Sequence, residues 1–395
     1  MKTNLFIHTR KISKLLVITN CLMAVIYYKW WFDFSHIGNP WMYSLLFIGE
    51  TYHVLISFLF WFTVWPYDKR YSYRAFQENS SYNPSVDIFI TVANEPLEII
   101  QETALAAKNQ YYTNKKIYIL NDGYVTKRKD WIKIEKLAEQ LGIFCITRKT
   151  PGGAKAGNIN NALRQTKGEI VVIFDADMVP FPYFLERMVP YFIHKDIAFV
   201  QSPQFYKNHT KNDITSASWE QQELFYGPIM SGKDSYNSAF ICGTNVAIRK
   251  SVLTQIGGLI EDSVTEDFLT SVSIHQLGYH SLYISEVLST GLAPEDLLSY
   301  YKQQHRWARG SLEVLFKENP FFKKGLTIKQ KFQYFSSALY YINGLIILID
   351  MTVPLIFLFS GIQPVVSSTV SFAFYFIPFM FLNLLTLSLV SFVKI

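Results

Sequence analysis

Cysteine is scarce in this chain: three in 395 residues. Cys21, Cys145 and Cys242 lie far apart, which excludes both a disulfide framework and a clustered-cysteine metal site and leaves reduced, structural cysteines. Charge is also thin, at 17% of residues with a net of +6. No Lys/Arg-rich block stands out, so a nucleic-acid-binding tail is excluded, and the small positive excess reads as a cytoplasmic membrane-surface bias. Internal repeats and low-complexity tracts are absent. What the chain has in quantity is apolar and aromatic side chains, 50% and 16% respectively. That balance excludes disorder and calls for a large core, a membrane, or both.

The apolar residues fall partly into long runs. Behind a basic start (Lys2, Arg10, Lys11, Lys14) comes a run from Leu15 to about Phe32. It is followed by Tyr27-Tyr28-Lys29-Trp30-Trp31 rather than by a small-residue cleavage site, so it reads as an uncleaved transmembrane helix with an aromatic belt. A second run, Trp41 to Trp65, is long enough to cross about 30 Å of hydrocarbon. It holds Glu50 and His53 on one face, either as intramembrane functional groups or as residues at the outer interface. Two more runs close the chain, Leu339 to Phe359 and Val365 to Val393, preceded by an amphipathic stretch from Ile328 to Ala338. Lys69, Arg70 and Arg74 follow the second run and Lys394 the last. Four spans with both termini and the central segment on the cytoplasmic side satisfy the charge rule.

The central segment alternates strand and helix patterns. Strands are expected at Val86–Thr91, Lys116–Leu120, Ile143–Thr147, Ile170–Phe174 and Ser238–Cys242. Helices are expected at Leu97–Lys108, Arg128–Leu141, Ala154–Arg164 and Phe268–Leu277. That alternation implies an α/β fold with a mostly parallel sheet, whose ligands sit beyond the carboxyl ends of the strands. The polar residues collect there: Asn94-Glu95 after the first strand, Asp122 after the second, Asp175-Ala176-Asp177 after the fourth.

Asp175 and Asp177 point the same way on an extended chain. They read either as ligands holding a hard divalent cation against a diphosphate or as a solvated loop. Lys155 enters a helix from the glycine-rich stretch Gly152-Gly153, as a phosphate contact or an exposed turn lysine. Thr265-Glu266-Asp267 opens a helix, as a cap or as a source of a general base. Gly243 allows either close approach of a substrate or a bulge. Gln303-Gln304-His305-Arg306-Trp307 sets a permanent cation and a flat ring on an amphipathic helix, Leu297 to Phe316. It fits a diphosphate and a sugar face, or a snorkelling interfacial helix.

In chain order, an Asp-Gly turn, Asp-Ala-Asp, Thr-Glu-Asp and Gln-x-x-Arg-Trp stand between two pairs of spans. This resembles the family 2 glycosyltransferases of the cellulose-synthase-like branch. The resemblance covers nearly the whole chain and implies a GT-A-type, Rossmann-like catalytic domain over residues 66–324, flanked by membrane regions 1–65 and 325–395. It further implies that Thr91, Asn94, Glu95, Asp122, Lys155, Asp175, Gln303 and Arg306 bind a UDP-sugar. Asp175 and Asp177 would hold Mg²⁺ or Mn²⁺. Asp267, with Glu266 and Arg306, would carry the chemistry, and Thr265, Gly243 and Trp307 would meet the acceptor. The expected reaction is one inverting displacement moving a sugar, glucose first, onto a growing β-linked polysaccharide. Single transfer to a lipid or short acceptor is the alternative, and an inactive channel or scaffold a third reading. The expected partners are the donor, a glycan or lipid-linked acceptor, the membrane and further copies of the chain, with no nucleic acid. Three departures stand out: Asn121 replaces the first Asp of the family's Asp-Asp-Gly, Gly153 replaces a frequent His, and two spans follow the Gln-x-x-Arg-Trp helix where cellulose synthases have more.

Overall fold

The computed structural model describes residues 2–65 and 82–391, without the side chains of residues 2–11, 13, 390 and 391. Lys69, Arg70, Arg74 and Lys394, which carry the expected orientation of the spans, lie outside the described residues. So do the side chains of Lys2, Arg10 and Lys11. The chain divides into two compact units, one within Met1–Tyr67 and Phe332–Lys394, the other within Asp68–Lys331.

Among the described residues the second unit holds ten strands: β1 Val86–Val92, β2 Lys115–Asn121, β3 Phe144–Thr147, β4 Ile170–Asp175, β5 Val179–Pro180, β6 Ile197–Gln201, β7 Phe205–Tyr206, β8 Val246–Arg249, β9 His280–Tyr283 and β10 Ser289–Gly291. Seven form one sheet in the order β3-β2-β1-β4-β8-β6-β9, and β5-β10-β7 form a second. In the large sheet the pairs β1–β2, β1–β4, β2–β3 and β6–β9 are parallel, and only β8 runs against its neighbours. A parallel sheet is covered on both faces, so its strands read as continuous apolar runs. β1 is buried at every position. Val86, Ile88, Ile90 and Val92 join one core with Val172, Phe174 and the helix residues Ile100 and Ala104. Phe89, Val171 and Ile173 face the opposite core with Ala156 and Ile159. At about 1.5–3 kcal/mol for each large apolar side chain buried, a one-residue slip of β1 would lose several such contacts, so the register is fixed. That register sets Thr91 opposite Asp175, Val92 opposite Asn121, and Asn121 opposite Thr147. Four strand ends therefore finish on one edge.

Two local expectations change. Ser238–Cys242 belongs to no strand, because side chains take the place of a ladder. Ile241 N–H donates to Ser271 Oγ at 2.9 Å and Cys242 N–H to Gln201 Oε1 at 3.0 Å. The helix expected from Arg128 begins at Trp131. Lys127 sits at φ +59° and Arg128 Nε is tied to Asp130 Oδ1 at 2.6 Å, so a turn occupies the first positions.

In the first unit, helix Lys2–Trp31 packs along helix Thr369–Ser391. Asn20 Nδ2 donates to Thr386 Oγ1 at 3.1 Å, and Tyr27 stacks on Phe379 with ring centroids 5.4 Å apart. Helix Pro40–Val64 packs on Asn343–Ser360, where His53 Nε2 lies 2.8 Å from Asp350 Oδ2. His53 thus has a partner on the facing helix. Four spans were expected; among the described residues three helices are long and apolar enough to cross a membrane, Pro40–Val64, Ile328–Ser360 and Thr369–Leu389. The stretch Leu15–Phe32 is not among them, although nearly all of it is helical.

Gln201 is fully buried at the end of β6, and its Nε2 also donates to Thr244 O at 2.8 Å. Gln201→Leu would leave Cys242 N–H and Thr244 C=O without their side-chain partner. Each orphaned buried group costs about 1–3 kcal/mol, so thermal unfolding followed by circular dichroism is expected at a clearly lower temperature. An unchanged midpoint would contradict this account of the 238–245 segment.

Candidate active site

The shared edge of β1, β2, β3 and β4 gathers the polar residues picked out from the sequence. Lys155 stands at the second position of helix Ala154–Leu163, which follows Gly152 and Gly153 at φ +131° and +62°. Its Nζ donates to Asp175 Oδ1 and, at 2.8 Å, to Gly243 O. Asp175 also accepts from Thr91 Oγ1 at 3.1 Å, and its own N–H donates to Thr244 Oγ1 at 2.9 Å. Gly243 has φ +79°, and a Cβ there would lie 3.3 Å from Asp267 Oδ2 and 3.6 Å from Lys155 Nζ. Glycine at this point lets three functional groups meet.

Asp267 is not a cap in the simple sense. Helix Glu266–Gln276 begins one residue before it, Thr265 holds the cap position without a side-chain hydrogen bond, and Asp267 Oδ1 accepts the N–H of Phe268 at 2.8 Å. Burial, followed by the neighbouring Glu266 carboxylate, pushes Asp267 up to about 7. Burial raises Glu266 as well, opposed by Lys155 and, more weakly, by Arg306. Burial lowers Lys155, but Asp175, Glu266 and Asp267 outweigh it and keep the ammonium charged. Asp177 is pushed up to about 6 by burial and then by Asp175, with a smaller push from Glu95.

That last pair decides whether a cation fits. The strand ends at Asp175 and the chain turns over Ala176 and Asp177, with Met178 N–H donating to Asp175 O at 3.0 Å, so the alternation expected of an extended chain does not hold there. Asp175 still raises Asp177, and opposite charge would stabilise such a pair. Among the described residues no group of three or more His, Cys, Asp or Glu side chains could hold a metal. Asp175 and Asp177 are the carboxylates that could hold a cation here, and the rest of its shell would then fall to phosphate oxygens and water. Mg²⁺ is commonly bound in this way.

The Gln-x-x-Arg-Trp helix spans Leu297–Phe316. Gln303 lies close enough to the Tyr206 hydroxyl to favour its ionised form, against the stronger effect of burial, and Tyr206 is within electrostatic reach of Asp177. Gln303 Oε1 is buried and has no hydrogen-bond partner among the described residues. Gln304 donates to Gln221 Oε1 at 2.9 Å, Arg306 is exposed and Trp307 is half-buried. A Cβ on Gly310 would overlap the Thr265 methyl. This glycine brings the helix against the Thr-Glu-Asp turn, and sequence reasoning did not single it out.

Asp122 is placed differently from the others. Arg148 holds both its carboxylate oxygens, Nε to Oδ1 at 2.8 Å and Nη2 to Oδ2 at 2.6 Å, and the pair is buried. The same guanidinium donates to Gly152 O and to Ala154 O, the latter at 3.0 Å. Arg148 therefore fixes the Asp122 side and the Lys155 loop together. It follows Thr147 at a strand end, the same signal that marked the acidic residues, but it was not read as functional. Asn94 is exposed, and Glu95 folds back so that Oε2 accepts Ala93 N–H at 2.7 Å.

Two of the departures from the family pattern, Asn121 and Gly153, have local reasons. Asn121 Nδ2 donates to Trp131 O at 3.1 Å while Oδ1 accepts Gly123 N–H at 2.9 Å. A carboxylate could not make the first bond. Gly153 has the left-handed φ given above, and a Cβ there would meet Glu261 Oε2 at 2.5 Å.

The family model described as glycosyltransferase like family 2 matches residues 84–310, and the cellulose synthase model matches residues 250–394. The UDP-forming cellulose synthase catalytic subunit of Pseudomonas fluorescens is 32% identical over 382 residues, covering 93% of this chain and 50% of that protein. Cellulose synthase 1 of Komagataeibacter xylinus is 31% identical over 385 residues, 94% of this chain and 24% of that one. The chain thus spans half or less of the length of these relatives. Among solved structures, the mannosyltransferase PcManGT of Pyrobaculum calidifontis, in complex with GDP-Man and Mn²⁺, is similar in fold with a TM-score of 0.61 at 16% identity. That match covers 89% of this chain and 97% of the other. The motifs at the sheet edge, the GT-A-like α/β fold and the family model over residues 84–310 agree: the chain belongs to glycosyltransferase family 2, with a cellulose-synthase-like C-terminal region.

Proposed function

We propose that the chain is a membrane-bound inverting glycosyltransferase that moves a hexose from a UDP-sugar to a growing β-linked glycan. Glucose is the first donor sugar to test, since the curated relatives are UDP-forming cellulose synthases. The observation that carries the reading is the meeting of Lys155, Asp175 and Asp267 around Gly243. An ammonium suited to a diphosphate stands there beside a carboxylate suited to take a proton.

In this mechanism Thr91, Asn94, Glu95 and Asp122 line the nucleotide pocket, with Asp122 steadied by Arg148. Lys155, Gln303 and Arg306 bind the diphosphate. Trp307, Thr265 and Gly243 receive the acceptor. Asp267 removes the proton from an acceptor hydroxyl, whose oxygen attacks the anomeric carbon as the bond to the diphosphate breaks and UDP departs. Glu266, beside Asp267, raises its affinity for that proton. A divalent cation held by Asp175 and Asp177 would neutralise charge on the departing diphosphate. No covalent enzyme intermediate is needed, so no activated Ser or Cys takes part. Three long apolar helices support a membrane location. The cytoplasmic orientation and any oligomeric assembly belong to the same proposal.

Three outcomes are expected. A base active only when ionised, with its pKa at about 7, makes kcat/KM fall about tenfold per pH unit below that value and level off above it. Asp267→Asn should lower turnover by about 10²–10⁴-fold, since an amide cannot accept the proton. A flat profile between pH 5 and 8, or full activity in the variant, would remove Asp267 as the base. Excess chelator should abolish turnover of a UDP-sugar by the purified protein, and Mg²⁺ or Mn²⁺ should restore it. Rates unchanged in chelator would contradict the role given to Asp175 and Asp177.

A further inference from the structure

A cleft of about 480 Å³ opens beside the donor pocket without including any of its residues. Its walls come from two segments, 124–131 and 149–151, and include Tyr124, Trp131, Lys127, Arg128, Lys129 and Lys149. None of the lining residues is acidic. Arg128 is satisfied by Asp130 and by Glu95 O at 2.5 Å. The three lysines are exposed, and among the described residues no carboxylate is paired with them. Tyr124 and Trp131 meet edge to face with centroids 5.5 Å apart, and Tyr124 is 46% exposed.

Solvated lysines on a convex surface would need no account. Here three of them ring a concavity whose volume lies within the range of small-ligand sites. The loop that presents them is built rather than slack. Thr126 N–H donates to Asp122 O at 2.9 Å and Arg128 N–H to Gly123 O at 2.8 Å, while Lys127 is held at φ +59°, a conformation disfavoured for residues with a Cβ. Gathering like charges is unfavourable unless a counter-charge is bound. The aromatic pair adds an apolar face to the cationic rim. Ammonium groups on the rim and rings in the wall together match a phosphate attached to a planar ring.

We propose that this cleft is a second anion site, distinct from the donor pocket, which takes a soluble phosphorylated ring compound of the nucleotide class. Both walls lead directly into donor-pocket residues. The 124–131 segment follows Asp122, and Lys149–Pro151 run into Gly152 and Lys155. A ligand spanning Lys127, Lys129 and Lys149 would clamp the two loops and set the donor pocket from outside.

Equilibrium dialysis of the purified full-length protein in neutral detergent tests this. Radiolabelled adenosine 5′-monophosphate is the probe, with saturating UDP and Mg²⁺ filling the donor pocket. One additional nucleotide per chain is expected. Its affinity should fall at least tenfold in a Lys127→Ser/Lys129→Ser/Lys149→Ser variant, with UDP binding unchanged. Tyr124→Ala should weaken binding of the monophosphate but not of inorganic phosphate. Equal binding in wild type and triple variant, or no binding beyond what UDP displaces, would overturn the proposal. Displacement of the probe by phosphatidic acid in the micelles, where phosphatidylcholine has no effect, would assign the cleft to a lipid headgroup and overturn the soluble-ligand reading. Loss of UDP binding with the monophosphate retained would count against the donor site and leave the cleft standing.

Discussion

One ammonium holds the site together. Lys155 is bonded to Asp175 and to Gly243 O, and it feels the charges of Glu266 and Asp267. Asp177 in turn feels Lys155. Four carboxylates in a partly dry pocket repel one another strongly, and burial raises three of them, Asp177, Glu266 and Asp267. In the absence of Lys155 the carboxyls of Asp177, Glu266 and Asp267 would hold their protons more tightly, and no ammonium would face a diphosphate. With it, in the proposed mechanism, loss of one proton from Asp267 near neutral pH would make the base, and a further cation between Asp175 and Asp177 would be favourable.

The fold exists to bring that lysine to those acids. Parallel pairing of β1 with β2 and β4 finishes the strands on one edge. The reversed strand β8 lies next to β4 and brings Gly243 and Thr244 to the same place. Two glycines then close the gaps that side chains would keep open. Gly243 lets Asp267 and Lys155 approach, and Gly310 lets the Gln-x-x-Arg-Trp helix rest on Thr265. Arg148 braces the opposite side, locking Asp122 to the loop that precedes Lys155.

How much of this was legible depended on range. β1, β2 and β4 announce themselves because burial on both faces demands uninterrupted apolar runs, and the acidic residues follow from where those runs stop. Ser238–Cys242 misled because an apolar β-prone run can be held by Gln201 and Ser271 side chains instead of a ladder. β8 escaped notice because four residues carry too little pattern. In the site, Lys155, Asp175 and Asp267 could be found from local context and motif order. Arg148 carried the strand-end signal, but its bond to Asp122 did not show in it; the roles of Thr244 and Gly310 lie in contacts with Asp175 and Thr265, at separations that no local pattern encodes.

The account stands or falls on a direct displacement driven by Asp267 across the gap at Gly243. The anomeric configuration of the product tests that claim most directly. With the UDP-sugar that turns over, proton NMR of the isolated product should show the large trans-diaxial coupling of a β-linkage, formed from the α-linked donor in one inversion. A product that keeps the α configuration would contradict it, because a single back-side displacement assisted by Asp267 inverts the anomeric carbon.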